Sequence, residues 1–212
     1  MEIQLAYDAI ALQTALSITR DLKDIVDIFE LGTPFLYTYS LGAVRAFREA
    51  AFDRVLHADL KILDGGGGMA ELAYASGADM TSVSARTWLK TIGAAAEVSH
   101  TQGKRLLVDF EGTPEEELPA LVKRIDPLEP TYLCIHRRFG AKNSVENELR
   151  IMREMAIHSK IALAGGINAS MVQELAGKAL LPDLLIVGKA VTLSQSPRQA
   201  LMEIIAAGRG VS

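Results

Sequence analysis

One cysteine, Cys134, stands in 212 residues, so no disulfide can form within the chain. Its setting in the apolar run TYLCI makes it a buried thiol rather than a nucleophile, and a reducing compartment suits it. No run of lysine and arginine occurs and the net charge is −4, which speaks against nucleic acid as a partner. No apolar stretch is long enough to span a membrane. The first residues, MEIQLAYD, are acidic and alternating, unlike a signal peptide, so a cytoplasmic protein is expected. The four histidines, His57, His100, His136 and His158, lack ligand spacing, and a cysteine pair is missing, which disfavours zinc. There is no linker, composition shift or low-complexity segment. With 49% hydrophobic residues, the chain reads as one domain over residues 1–212.

What is present is a regular alternation of β-type and α-type segments. The strand-like runs are 3–7, 25–29, 55–60, 78–83, 105–110, 131–136, 160–166 and 183–189. Helical periodicity follows each, at 11–22, 41–50, 69–76, 87–102, 114–125, 143–156, 169–177 and 196–208. Gly32, Pro34 and the residues after them read as a loop. Gly77 suits the left-handed position after a helix, and Pro119 a kink near a helix start. Glu115 to Glu117 suit a solvated first helical turn. Trp88, Ile92 and Ala96 have the spacing of one core-facing stripe.

Eight such repeats predict a parallel α/β fold, a single (β/α)8 TIM barrel, with an open doubly wound sheet as the competing architecture. The barrel is preferred because polar residues and glycines recur at the strand C-termini. Asp8, Glu30, Asp59, Lys61, Asp109, His136, Gly165, Gly166 and Gly188 all fall there. In a closed barrel those ends converge on one mouth, where active sites of this fold lie.

The densest cluster is HADLKILDGGGG, residues 57–68. Strand alternation points Asp59 and Lys61 the same way, and Asp64 lies beyond the strand, where the chain turns. Two carboxylates beside one ammonium are costly to bury without further partners or a function; a solvated salt bridge is the alternative. Glu30 and Asp59 end neighbouring strands. Two hard oxygen donors suit Mg²⁺, though pairing with Lys61 and an arginine would also satisfy them. His57 begins the alternation shared with Asp59 and Lys61 and reads as deeply packed. His100 and His158 read as surface residues at helix ends. His136, ending strand six, is the histidine suited to acid–base work. Gly165 and Gly166 in LAGGIN and Gly188 with Lys189 in IVGKA occupy the two loops that commonly hold a phosphate in such barrels. Lys189 either adds positive charge there or is a solvated surface lysine.

The run Asp59-Leu60-Lys61-Ile62-Leu63-Asp64 resembles the D-x-K-x-x-D signature of the orotidine monophosphate decarboxylase superfamily. The segments QLAYDAI, ELGTPFL, DLKILDGG, ALAGGIN and IVGKAVT extend the resemblance nearly end to end. Within the superfamily they are similar to the 3-hexulose-6-phosphate synthases and their relatives, the 3-keto-L-gulonate-6-phosphate decarboxylases. The resemblance implies a lyase acting on a sugar phosphate, built as a homodimer with shared active sites. Glu30 and Asp59 would bind Mg²⁺, Asp8 and Lys61 would face the reacting carbons, and Asp64 would reach into the partner's site. His136 would carry protons, and Gly165, Gly166, Gly188 and Lys189 would hold the phosphate. The shared intermediate is an enediolate of a pentulose 5-phosphate. The synthase forms it by deprotonating ribulose 5-phosphate and adds it to formaldehyde; the decarboxylase forms it by losing CO₂.

Two features depart from the pattern. Residues 137–143, RRFGAKN, replace an Asp-x-Gln stretch and shorten the loop; Arg137 or Arg138 could bind a carboxylate or face solvent. Ala164 and Lys189 stand where the decarboxylases carry threonine and arginine, which favours the synthase. A barrel that binds sugar phosphates without turning them over is a third expectation.

Overall fold

The computed structural model describes residues 1–137 and 145–209. Most of the divergent loop, from Arg138 to Asn143, and the expected helix start at 143–144 lie outside the described residues. Eight parallel strands close into a barrel in sequence order: β1 Glu2–Tyr7, β2 Ile28–Leu31, β3 Val55–Ile62, β4 Met80–Ser84, β5 Arg105–Asp109, β6 Tyr132–His136, β7 Lys160–Ala164 and β8 Leu184–Val187. β8 pairs with β1, which excludes the open sheet. The helices are α1 Leu12–Leu22, α2 Thr33–Tyr39, α3 Ala43–Ala50, α4 Gly66–Ala75, α5 Leu89–Thr101, α6 Leu118–Ile125, α7 Val145–Met155, α8 Ala169–Gly177, α9 Lys189–Thr192 and α10 Pro197–Arg209.

Strand alternation divides the apolar residues into two packed layers. One set, including Leu5, Phe29, Leu56, Val108, Leu133 and Leu163, faces the helices. The other, including Ala6, Met80, Leu107, Tyr132, Cys134, Ala164 and Ile186, fills the barrel interior. Of the interior residues that reach the strand C-terminal end, Ala6, Cys134 and Ala164 are small, which leaves room above them. At the other end, Glu2 accepts from Tyr132 and pairs with Arg105 and Lys160, closing the barrel floor.

The structure moves several expected boundaries. Ile25 and Val26 bond back to Leu22 and finish the α1 turn, so β2 begins at Ile28 rather than at 25. The segment after Gly32 is the helix α2, not a loop. Pro34 sits in its first turn, where a missing N–H costs nothing, and Phe35 and Leu36 are buried. Trp88 caps α5 and is 81% exposed, so Ile92 and Ala96 face the core without it. Helix α4 starts within the glycines at Gly66, where a Cβ would stand 2.1 Å from the Thr91 carbonyl oxygen of α5, so the close approach requires glycine. The short α9 was not legible from periodicity, being a single turn.

Buried Asp126 accepts from the backbone N–H groups of Ile157, His158 and Ser159, fixing the entry to β7. Burial alone would raise its pKa, but these donors hold it below the usual carboxylate range. Asp126→Ala is expected to cost about 2 kcal/mol, seen as a lower denaturation midpoint. The sign of the pH effect follows. A depressed folded-state pKa contributes stability above the unfolded value, about 3.9, and loses it as pH falls through the folded value. The variant and wild type should therefore converge in stability on acidification.

Candidate active site

Above the small interior residues lies a cavity of about 740 Å³ at the C-terminal ends of the strands. Asp8, Glu30, Asp59, Lys61, His136, Gly165, Gly166, Gly188 and Lys189 all line it. Asp64 does not. It is exposed on the rim and accepts from the N–H of its own neighbour Gly65. Sequence reasoning also left unassigned Gln4, Thr33, Ser82 and Glu111, each of which shapes the site.

β3 carries its centre. The strand runs two residues past the expected end at 60, through a register shift between Ala58 and Ile62. Lys61 takes a left-handed φ of 45° within it, and its N–H donates to Ser82 Oγ at 2.9 Å. Bulges and strained residues of this kind re-aim side chains beside functional sites. The alternation still holds: His57, Asp59 and Lys61 all face the cavity, while Ile62 joins the outer core.

Asp59 is held rigidly. Ser82 donates to its Oδ1, and Thr33 donates to its Oδ2 at 2.9 Å and to its carbonyl at 2.8 Å. Asp59 Oδ2 lies 3.7 Å from the Lys61 ammonium, which also pairs closely with Asp109 and lies 3.2 Å from Glu111. Burial opposes the charge on Lys61, but Asp59 and Asp109 outweigh it and hold its pKa above that of an ordinary lysine. Asp109 also accepts from the N–H of Glu111 at 2.7 Å and faces His136 Nε2 at 3.2 Å. Burial would push the Asp109 carboxyl up, yet His136 and Lys61 hold it well below the usual range. In turn Asp109 raises His136 above an ordinary histidine, against the opposing effect of burial.

Glu30 sits deeper. Gln4 Nε2 donates to Glu30 Oε2 and lies 3.0 Å from His57 Nδ1. An amide nitrogen only donates, so His57 is the neutral tautomer with its proton on Nε2. Burial lowers its pKa to about 4, in keeping with that assignment. The deeply packed His57 is thus borne out, as are the exposed His100 and His158 and the buried Cys134. Burial, reinforced by the charge of Asp59, raises the Glu30 pKa well above the ordinary value; the same two causes raise Asp8.

These shifts describe a shortage of positive charge. Five carboxylates, Asp8, Glu30, Asp59, Asp109 and Glu111, share the cavity with Lys61, Lys189 and His136. Among the described residues neither Glu30 nor Asp8 has a lysine or arginine nitrogen within 4.0 Å. Glu30 and Asp59, both buried and mutually repelling, offer hard oxygen donors that fit a divalent cation. A second group, Asp109, Glu111 and His136, offers ligand atoms within 4.8 Å of one another, but the Lys61 ammonium already pairs with two of its members.

Opposite the acids, the loop after β7 turns through Gly165 at φ 92° and Gly166 at φ 62°. A Cβ on Gly165 would stand 2.9 Å from the Arg137 backbone nitrogen. Asn168 then caps α8 by accepting from Met171 N at 3.0 Å. Gly165→Ala is expected to destabilise the fold by about 1–3 kcal/mol and to weaken binding of a phosphate ester, read as a lower melting temperature and a raised KM.

A closed parallel barrel with a pocket of ionisable groups at its C-terminal mouth defines a (β/α)8-barrel enzyme. A 3-hexulose-6-phosphate synthase of Bacillus subtilis (strain 168) is 35% identical over 196 residues, 91% of each chain. The crystal structure of a 3-hexulose-6-phosphate synthase from Salmonella typhimurium superposes with TM-score 0.90 at 30% identity, over the whole of both chains. A 3-keto-L-gulonate-6-phosphate decarboxylase from Vibrio cholerae superposes with TM-score 0.84 at 22% identity, covering 100% of this chain and 98% of the other, and shares the fold. The profile of the orotidine 5'-phosphate decarboxylase / HUMPS family matches residues 1–204. The chain belongs to that family, and it is an enzyme of the lyase class. Among the described residues no helix is long and apolar enough to cross a membrane.

Proposed function

We propose that the protein is a 3-hexulose-6-phosphate synthase, an aldehyde-lyase that joins ribulose 5-phosphate to formaldehyde with the aid of Mg²⁺. The observation that carries this reading is the meeting of Glu30, Asp59, Lys61, Asp109 and His136 in one cavity, with glycine loops across from them. The named synthases at 35% and 30% identity support the choice of reaction, as do Ala164 and Lys189 at positions that separate the two activities.

Gly165, Gly166, Gly188 and Lys189 hold the phosphate, which places the keto end of the sugar against the acids. Glu30 and Asp59 would hold the Mg²⁺, which would supply positive charge to offset negative charge growing on the substrate. Asp8, whose carboxyl has raised proton affinity, takes the C1 proton. Lys61 presents a fixed ammonium to the resulting enediolate. Asp109 raises the proton affinity of His136. As the enediolate carbon bonds to formaldehyde, His136 gives its proton to the aldehyde oxygen; the proton on Asp8 returns to His136 through solvent, and the cycle closes.

Asp64 acts in the partner's site of a cytoplasmic homodimer. Its position supports this role, since it is exposed outside its own cavity, next in the chain to the exposed apolar side chain of Leu63. The test is formaldehyde consumption by the purified enzyme. Loss of formaldehyde that requires both ribulose 5-phosphate and Mg²⁺ supports the reading. CO₂ release from 3-keto-L-gulonate 6-phosphate, without formaldehyde consumption, would assign the decarboxylase instead. Binding of either phosphate with no turnover would leave a binding protein.

A further inference from the structure

Three carboxylates lie within 4.0 Å of the Lys61 ammonium, and they are not equivalent. Asp59 and Asp109 are rooted: their side chains are 8% and 3% exposed, and Ser82, Thr33, His136 and the Glu111 backbone fix them. Glu111 is different. Its side chain is 57% exposed, and among the described residues its carboxylate accepts no hydrogen bond. Its charged neighbours are Lys61 at 3.2 Å and His136 at 4.0 Å. Two residues past the end of β5, it overhangs the cavity and closes the open side of the lysine.

We propose that Glu111 is a specificity-determining residue, a movable carboxylate that holds Lys61 in the empty site and selects against substrates bearing a carboxylate at the reacting carbon. The inference rests on the sugar-phosphate reading above and deepens it. An oxyanion that comes to Lys61 must displace a carboxylate, and among the described residues Glu111 is the one of the three held by no hydrogen bond, with His136 at 4.0 Å as its other charged neighbour. A neutral ketose brings no charge to this place while it binds. A substrate with its own carboxylate brings a full negative charge beside Glu111, Asp59 and Asp109. The rooted pair are fixed parts of the site; Glu111 adds the repulsion that can be removed without disturbing them.

The experiment is calorimetric binding of two probes to the full-length protein with Mg²⁺. Ribulose 5-phosphate has an uncharged C1–C2 end. Ribonate 5-phosphate has the same phosphate and a carboxylate at C1. Relative to wild type, Glu111→Gln is expected to bind the ribonate at least about tenfold more tightly, about 1.4 kcal/mol, and the ketose within about threefold. Glu111→Asp, which keeps the charge, should stay near wild type for the ribonate. Equal changes for both probes, or no change for either, would overturn the inference. So would failure of both probes to bind at all. A wild type that shows the expected selectivity yet consumes no formaldehyde would instead overturn the synthase reading and leave the role of Glu111 standing.

Discussion

Lys61→Met should lower turnover by at least about 10³-fold with little change in binding of the phosphate ester. The methionine keeps the length and apolar stem of the side chain and removes the ammonium. That ammonium lies beside Asp59, Asp109 and Glu111, and its substrate-facing role begins only when charge grows on the sugar. The loss should therefore fall on kcat rather than on KM. Lys61→Arg should not restore activity, because a planar guanidinium cannot take the place of a compact ammonium among converging acids. Lys61→Met also leaves buried Asp109 with less compensation, so its carboxyl should titrate higher than in wild type. Circular dichroism at neutral pH separates this from unfolding, and kinetics with ribulose 5-phosphate and formaldehyde give the main result.

Glu30→Gln and Asp59→Asn are expected to weaken Mg²⁺ binding by at least about 100-fold. Both changes keep shape and remove charge. In the cation-free site they relieve repulsion, since Glu30 is buried beside Asp59 with its pKa well above the usual value. Glu30→Gln should therefore be as stable as the cation-free wild type, or more so, and both variants should lack the rise in melting temperature expected of the wild type with Mg²⁺. Binding measured with Mn²⁺ by electron paramagnetic resonance reads the same loss without relying on turnover. Equal Mg²⁺ stabilisation of wild type and both variants would place the ion elsewhere.

The barrel and most of its mouth were legible because both depend on period and position. Alternation placed His57, Asp59 and Lys61 on one face, and this survived even the shift in β3 that the sequence does not announce. Strand ends placed Asp8, His136 and the glycine loops. What stayed hidden depends on contacts between elements. Ser82 and Thr33 hold Asp59 from β4 and α2, and neither is unusual in its own segment. Gln4 was a readable signal, a fully buried amide within an apolar strand, but its partners Glu30 and His57 arrive from two other strands. Glu111 lies in a loop after a strand end already marked by Asp109, where no period singles it out. Trp88 was placed in the core by spacing alone, although it precedes the first turn of its helix and faces outward. α2 was hidden by Pro34, which breaks a helix interior but suits a first turn.

The account stands on a lysine and a cation-holding pair of acids stabilising a deprotonated sugar end. Exchange of the C1 proton of ribulose 5-phosphate in heavy water, followed by proton nuclear magnetic resonance without formaldehyde, reads that step alone. Wild type with Mg²⁺ should exchange the proton stereospecifically, and Lys61→Met or chelator-treated enzyme should not. Exchange that persists undiminished without Lys61 or without the metal would contradict the account.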